Sequence, residues 1–231
     1  MFEKVLLSEK IANNIKKMIV IQELKPGEKL PNEIDLAEEL NVSRSTIREA
    51  IKILVSMNIL EIRRGKGTFV CKKPGIAADP LGVTFMNKKD LLLYLFETRL
   101  IIEPEMAALA ASRASEKNIR DLQEAFEKMK LDILEGKDHT ELDITFHNII
   151  SKSTQNPIIQ RIVPIINDSI KEGYQETKDI PLSGEKVIRH HEKVLKAIID
   201  KNSEDARHYM REHIFSGMDQ ISHKNIQSEI E

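Results

Sequence analysis

One cysteine, no tryptophan, three tyrosines and seven phenylalanines occur among the 231 residues. The lone Cys71 excludes an internal disulfide framework and any cysteine-rich zinc cluster, and no histidine stands near enough in sequence to suggest a catalytic dyad. It reads as a small strand residue. Apolar stretches are short and each is broken by Lys, Glu or Asp, so no segment reads as membrane-spanning. The opening "MFEKVLLSEK" carries charges where a signal peptide needs an apolar run, which predicts a cytoplasmic protein with no membrane partner. The glycines form no phosphate-cradling loop, and no nucleophile motif is present.

Charge of one sign is also lacking overall, the net value being −2, but the balance is uneven. Residues 1–73 carry 14 Lys/Arg against 10 Asp/Glu, whereas the remainder carries 21 against 27. Between 43 and 73 stand Arg44, Arg48, Lys52, Arg63, Arg64, Lys66, Lys72 and Lys73, opposed only by Glu49 and Glu61. Such a local excess is the expected footprint of a phosphate-binding surface. The length and the 41% hydrophobic content suffice for two cored domains.

In the first of these, "SEKIANNIKKMIVIQEL" sets Ile11, Ile15, Met18 and Ile19 at helical spacing, with Ser8 placed to cap the helix. "KPGEKLP" breaks it. A short helix follows in "NEIDLAEEL", capped by Asn32, then the tight turn "NVS". The next helix, "SRSTIREAIKILVSM", turns Ile47, Ala50, Ile51 and Leu54 inward and is expected to expose Arg44, Ser45, Thr46 and Arg48 near its N-terminus. Small hydroxyls and arginines there suit a recognition helix, which enters the major groove by its N-terminal end. "ILEIRRGKGTFVC" completes the unit as two short strands around Arg64, Gly65, Lys66 and Gly67, a basic hairpin suited to backbone phosphates. The expected unit is a winged helix-turn-helix over residues 1–73.

The stretch "LKPGEKLPNEIDLAEELNVSRSTIREAIKILVSMNILEIRRGKGTFV" resembles the DNA-binding domain of GntR-family bacterial transcription regulators over nearly its whole length. The resemblance implies that Arg44, Ser45, Thr46 and Arg48, with Ser43 at the cap, match DNA-contacting positions, and that Gly65 and Lys66 match the wing tip. One position departs from the pattern: Ile34 stands where the family commonly carries a DNA-touching arginine, which predicts a different operator preference.

Residues 74–86, "PGIAADPLGVTF" and its flanks, show two prolines, two glycines and no clear period, and read as a linker. Beyond them the pattern is helical over 88–112, 115–136, 138–154, 156–176, 183–201 and 203–223. The layout implies an antiparallel helical bundle over 87–223, followed by a tail at 224–231. The fold class is therefore mainly α, an N-terminal winged helix-turn-helix plus a C-terminal all-helical antiparallel bundle.

"ELDITFHNII" puts Asp143 and His147 four residues apart on one helical face, which fits either a wet polar face or half of a ligand set. "IRHHEKVLKAI" aligns His191 with Val194, Leu195 and Ile198, and His213 follows Ala206, Tyr209 and Met210 by helical steps, so both can face inward. Three neutral imidazoles and one carboxylate would satisfy one another by holding a divalent metal. His139, His190, His208 and His223 read as ordinary surface residues.

The stretches "LYLFETRLIIEPEMAALAA", "ELDITFHNIISKSTQNP" and "HEKVLKAIIDKNSEDARHYMREHI" resemble the FCD ligand-binding domain of the FadR-type branch of the same family, across about residues 90–217. In its metal-containing members an Asp and three His hold the ion, which implies Asp143, His147, His191 and His213 here. With no thiolate, zinc, nickel or manganese is expected. Arg99 has two readings, a salt bridge to Glu97 or Glu103, or capture of an anionic effector as the resemblance implies.

Together these readings predict a ligand-responsive regulator and not an enzyme, binding a palindromic double-stranded operator as a homodimer and a small carboxylate in the bundle. The rival is a metalloenzyme using the same cage. Against it, no dedicated general base is evident: Glu192 adjoins His191 but points about 100° away around the helix.

Overall fold

A computed structural model describes residues 2–22, 24–176 and 184–227. Its contacts divide the chain into two units, Met1–Pro80 and Leu81–Glu231.

In the first unit α1 spans Phe2–Ile21, α2 Glu33–Glu39 and α3 Arg44–Ser56, followed by β1 Leu60–Arg63 and β2 Gly67–Val70. The stripe Ile11, Ile15 and Ile19 buries one face of α1 against Leu36, Ile47, Ile51 and Leu54. Ser8 does not cap α1 as its residue type predicts: the helix begins at Phe2 and Ser8 lies within it, buried. No proline or glycine precedes Ser8 to delay nucleation. Asn32 caps α2 by accepting from the backbone N–H groups of Ile34 (2.8 Å) and Asp35 (3.1 Å). Ser43 caps α3 by accepting from the Thr46 N–H at 3.2 Å. Between them Asn41 takes φ +50°, a left-handed conformation asparagine tolerates better than most L-residues, so the turn is tight.

The wing pairs β1 and β2 antiparallel, Leu60 opposite Val70 and Arg63 opposite Gly67. Gly65 has φ +71° in its turn, where a side chain would be strained. A Cβ on Gly67 would stand 2.7 Å from Lys29 Cε. Arg63 lies over the Phe69 ring at 4.2 Å, stiffening the hairpin.

In the second unit α4 spans Lys88–Arg113, α5 Glu116–Leu134, α6 Thr140–Ser153, α7 Ile159–Glu176, α8 Gly184–Ile199 and α9 Ser203–Gln227. Helix α4 packs against α6, α7, α8 and α9, around a core that includes Phe96, Met106, Phe126, Phe146, Ile150, Ile198 and Met210. The segment read as linker gains structure at its end: Val83–Phe85 form a 3-10 turn, and Val83 is buried against Leu91, Leu95, Ile166 and Ile170. The expected tail starts inside α9, which continues to Gln227, while residues 228–231 lie outside the described residues. Most of the loop expected at 179–184 also lies outside them.

Candidate functional site

Helix α6 carries Asp143 and His147 one turn apart, α8 brings His191, and α9 brings His213. These four offer ligand atoms that all lie within 4.8 Å of one another. His191 Nε2 is 3.0 Å from Asp143 Oδ1, His147 Nε2 is 3.9 Å from the same oxygen, and His147 Nε2 is 3.1 Å from His213 Nε2. His147 and His191 are fully buried, whereas the Asp143 side chain keeps 22% of its surface exposed. Burial pushes the Asp143 carboxyl up, but His147, the hydrogen bond with His191 and the Arg99 charge outweigh it and hold the group well below the usual range. Burial, reinforced by His191 and His147, keeps His213 well below the usual imidazole value. An ionised carboxylate beside a neutral imidazole is the protonation state a metal requires.

The next layer of side chains fixes these donors. His191 Nδ1–H donates to the Val187 carbonyl at 2.9 Å, which turns its Nε2 toward Asp143. Glu103 on α4 stands with Oε2 2.5 Å from His147 Nδ1 and Oε1 2.5 Å from Arg99 Nε. Arg99 pairs with Glu103, and both side chains are almost wholly buried. Burial raises the Glu103 carboxyl, yet Arg99 and His147 more than offset this and bring it down to about 2.

Periodicity alone does not single out Glu103. The signal for it lies in the stripe Leu92, Phe96, Arg99, Glu103, Met106 and Ala110, which alternates steps of four and three and is buried throughout. A charged pair on that stripe is a charged pair in the core. His190 is a correction: expected at the surface, it is 9% exposed, neither ring nitrogen has a hydrogen-bond partner, and its ring centroid lies 6.2 Å from that of His213. It flanks the inward stripe Val187, His191, Val194 and Ile198, so the packing of α8 on α9 covers it. Burial lowers its pKa. His208 is exposed and pairs with Glu212 at 3.4 Å, whereas the side chain of His223 lies outside the described residues.

On α3, Arg44, Ser45 and Arg48 are exposed, as are Gly65 and Lys66 at the wing tip. Thr46 is not: expected at the surface, it is 4% exposed, with Oγ1 2.8 Å from Ser43 Oγ. At the third helical position it turns inward beside Ile47, and its hydroxyl completes the cap network with Ser43 and Ser45. Arg48 Nε donates to Glu33 Oε2 at 2.7 Å across the turn, with both side chains open to water. Ile34, 48% exposed, presents an apolar side chain beside that pair in sequence.

A winged helix-turn-helix joined to a helical domain with a buried polar cluster defines a DNA-binding transcription regulator with an effector-binding domain. The chain belongs to the GntR family of bacterial regulatory proteins: residues 7–70 match the family described as "Bacterial regulatory proteins, gntR family", and residues 94–216 match the FCD domain. The HTH-type transcriptional regulator LutR of Bacillus subtilis (strain 168) is 29% identical over 211 residues, 89% of this chain and 96% of the relative. The galactonate operon transcriptional repressor of Escherichia coli (strain K12) is 28% identical over 175 residues, 74% and 76% of the two chains. Among solved structures, Streptococcus agalactiae GntR superposes with a TM-score of 0.83 at 35% identity, covering 91% of this chain and 98% of that one. These relatives are regulators and not enzymes.

Proposed function

We propose that this regulator holds one divalent metal between Asp143, His147, His191 and His213, and that a small hydroxy acid bound there changes its affinity for DNA. The observation that carries the reading is the convergence of the four side chains: the buried His191, whose Nδ1–H is spent on the Val187 carbonyl, turns Nε2 toward Asp143 Oδ1 at 3.0 Å. A proton could bridge that one pair, but it cannot serve all four ligand atoms gathered within 4.8 Å. Ligands at about 2.0–2.1 Å from one zinc ion stand at most about 4.2 Å apart, so modest contraction would close the set. The thiolate-free donors suit zinc, nickel or manganese. When bound, the metal supplies a Lewis-acidic anchor with positions left open to carboxylate and hydroxyl oxygens. Galactonate, after which the operon of one relative is called, belongs to this ligand class and is the first candidate.

For DNA, Arg44, Ser45 and Arg48 are assigned to the operator, with Ser43 and Thr46 holding the helix end that presents them. Gly65 and Lys66 are assigned to backbone phosphates at the wing. The acting species is a homodimer on a palindromic double-stranded site, one reader per half. The place of action is the cytoplasm, and among the described residues no helix is long and apolar enough to cross a membrane.

Elemental analysis of the purified chain tests the cage. The parent should carry about one metal per chain, and the double substitution His147→Ala/His191→Ala far less, since two of four ligands are gone. Stoichiometric metal in the double variant would overturn the assignment.

A further inference from the structure

Two of the three clustered imidazoles have an oxygen close against their outer nitrogen. For His191 the partner is a backbone carbonyl, which no side-chain substitution removes. For His147 it is a side chain from another helix: Glu103 Oε2, 2.5 Å from Nδ1 and 2% exposed. An ionised carboxylate has acceptors only, so a neutral imidazole facing it at that distance must carry its proton on Nδ1. The lone pair is then on Nε2, which stands 3.1 Å from His213 Nε2 and 3.9 Å from Asp143 Oδ1.

We infer that Glu103 is a positioning residue that sets the tautomer of His147, so that the cluster holds a cation tightly only while a carboxylate stands behind that ring. Arg99 completes the device. Its Nε donates to Glu103 Oε1 at 2.5 Å and its Nη2 lies 3.4 Å from Oε2, fixing the carboxylate plane against α4. The Arg99 guanidinium rests against the Phe96 ring, 5.3 Å from its centroid. The positive arginine and negative glutamate offset one another, which leaves the Asp143 carboxylate to supply the negative charge for the cation. The inference rests on the metal reading and names the residue through which α4 controls the site on α6, α8 and α9.

Glu103→Gln is the discriminating change because it keeps the shape and reverses half of the hydrogen-bonding sense. The amide oxygen must stay with Arg99, whose N–H groups can only donate, and the amide NH2 then faces His147 Nδ1. Two donors cannot meet there, so the imidazole proton moves to Nε2 and points into the cage. With Zn2+ alone as probe, E103Q should bind about 10–100-fold more weakly than the parent, the usual consequence of losing such a partner. Long-range 1H–15N correlation of the histidine rings in the metal-free full-length chain should show His147 as Nδ1–H in the parent and Nε2–H in E103Q. Glu103→Asp keeps an acceptor and should keep the Nδ1–H form. A parent with Nε2–H, an E103Q with unchanged zinc affinity and tautomer, or a flip in E103D as well would each overturn the inference. Should E103Q fail to fold, the parent and E103D spectra decide it. A parent that takes up no zinc would instead defeat the metal reading, and the metal-free spectra would still test the role of Glu103.

Discussion

Arg99 and Glu103 place two full charges in the wall of a helical core, each almost wholly removed from water. Desolvating such a pair is costly, and replacing one partner strands the other, an effect worth about 3–5 kcal/mol. Arg99→Ala should therefore destabilise the domain by about that amount in chemical unfolding and also weaken zinc binding, because Glu103 loses the group that orients it. Glu103 also has a pH signature in the chelated protein. Its folded value is depressed from 4.5 to about 2, so its contribution is present above the unfolded value and is lost as pH falls through the interval between them. Urea unfolding between about pH 5 and about pH 3 should show stability falling with pH, with a shallower fall in E103Q. An equal slope in both chains would remove Glu103 from the acid response.

At the scale of elements, α3 is a helix whose first turn does two jobs. Ser43, Ser45 and Thr46 engage their hydroxyls with one another and with the cap, which leaves Arg44 and Arg48 as the long side chains at the exposed end. Arg44→Ala should weaken operator binding by about 1–3 kcal/mol and leave zinc content and unfolding unchanged. Ser43→Ala should instead lower stability by about 1 kcal/mol through loss of the cap. Equal operator affinity in R44A and the parent at one salt concentration would move the reader off α3. The fold elements and the four cluster residues were legible because apolar periodicity and polar side chains on those apolar faces are properties of sequence. Thr46, His190 and the contact of Glu103 with His147 were not, for one physical reason: periodicity ranks positions by the residue type expected there. Thr46 sits at the inward-turning edge of a polar first turn, His190 at the covered edge of an apolar stripe, and Glu103 is a charge on the stripe itself. Ser8 failed differently, since a capping residue type marks a helix start only where the chain before it cannot also be helical.

For the molecule as a whole, DNA reading and effector binding are assigned to separate units of one chain, so their coupling is read as a free-energy difference between the two sites. An acid that changes DNA affinity by some factor must have its own affinity changed by operator DNA by that same factor. Galactonate is the probe to begin with, and related hydroxy acids follow if it is inert. Titrations of the acid with and without operator, and of operator with and without acid, should return one coupling factor, typically about 5–150-fold for a regulator of this kind. Removing the metal with a chelator should abolish that factor while leaving basal DNA binding largely in place, because Arg44 and Lys66 belong to the other unit. Some loss of stability in the helical unit should accompany chelation, since a bound ion contributes to the folded state by mass action. A chelated protein that still shows the full coupling factor would separate the acid from the metal. The effector contact would then have to lie on other polar groups of the helical unit, with the four-residue cluster serving the fold alone.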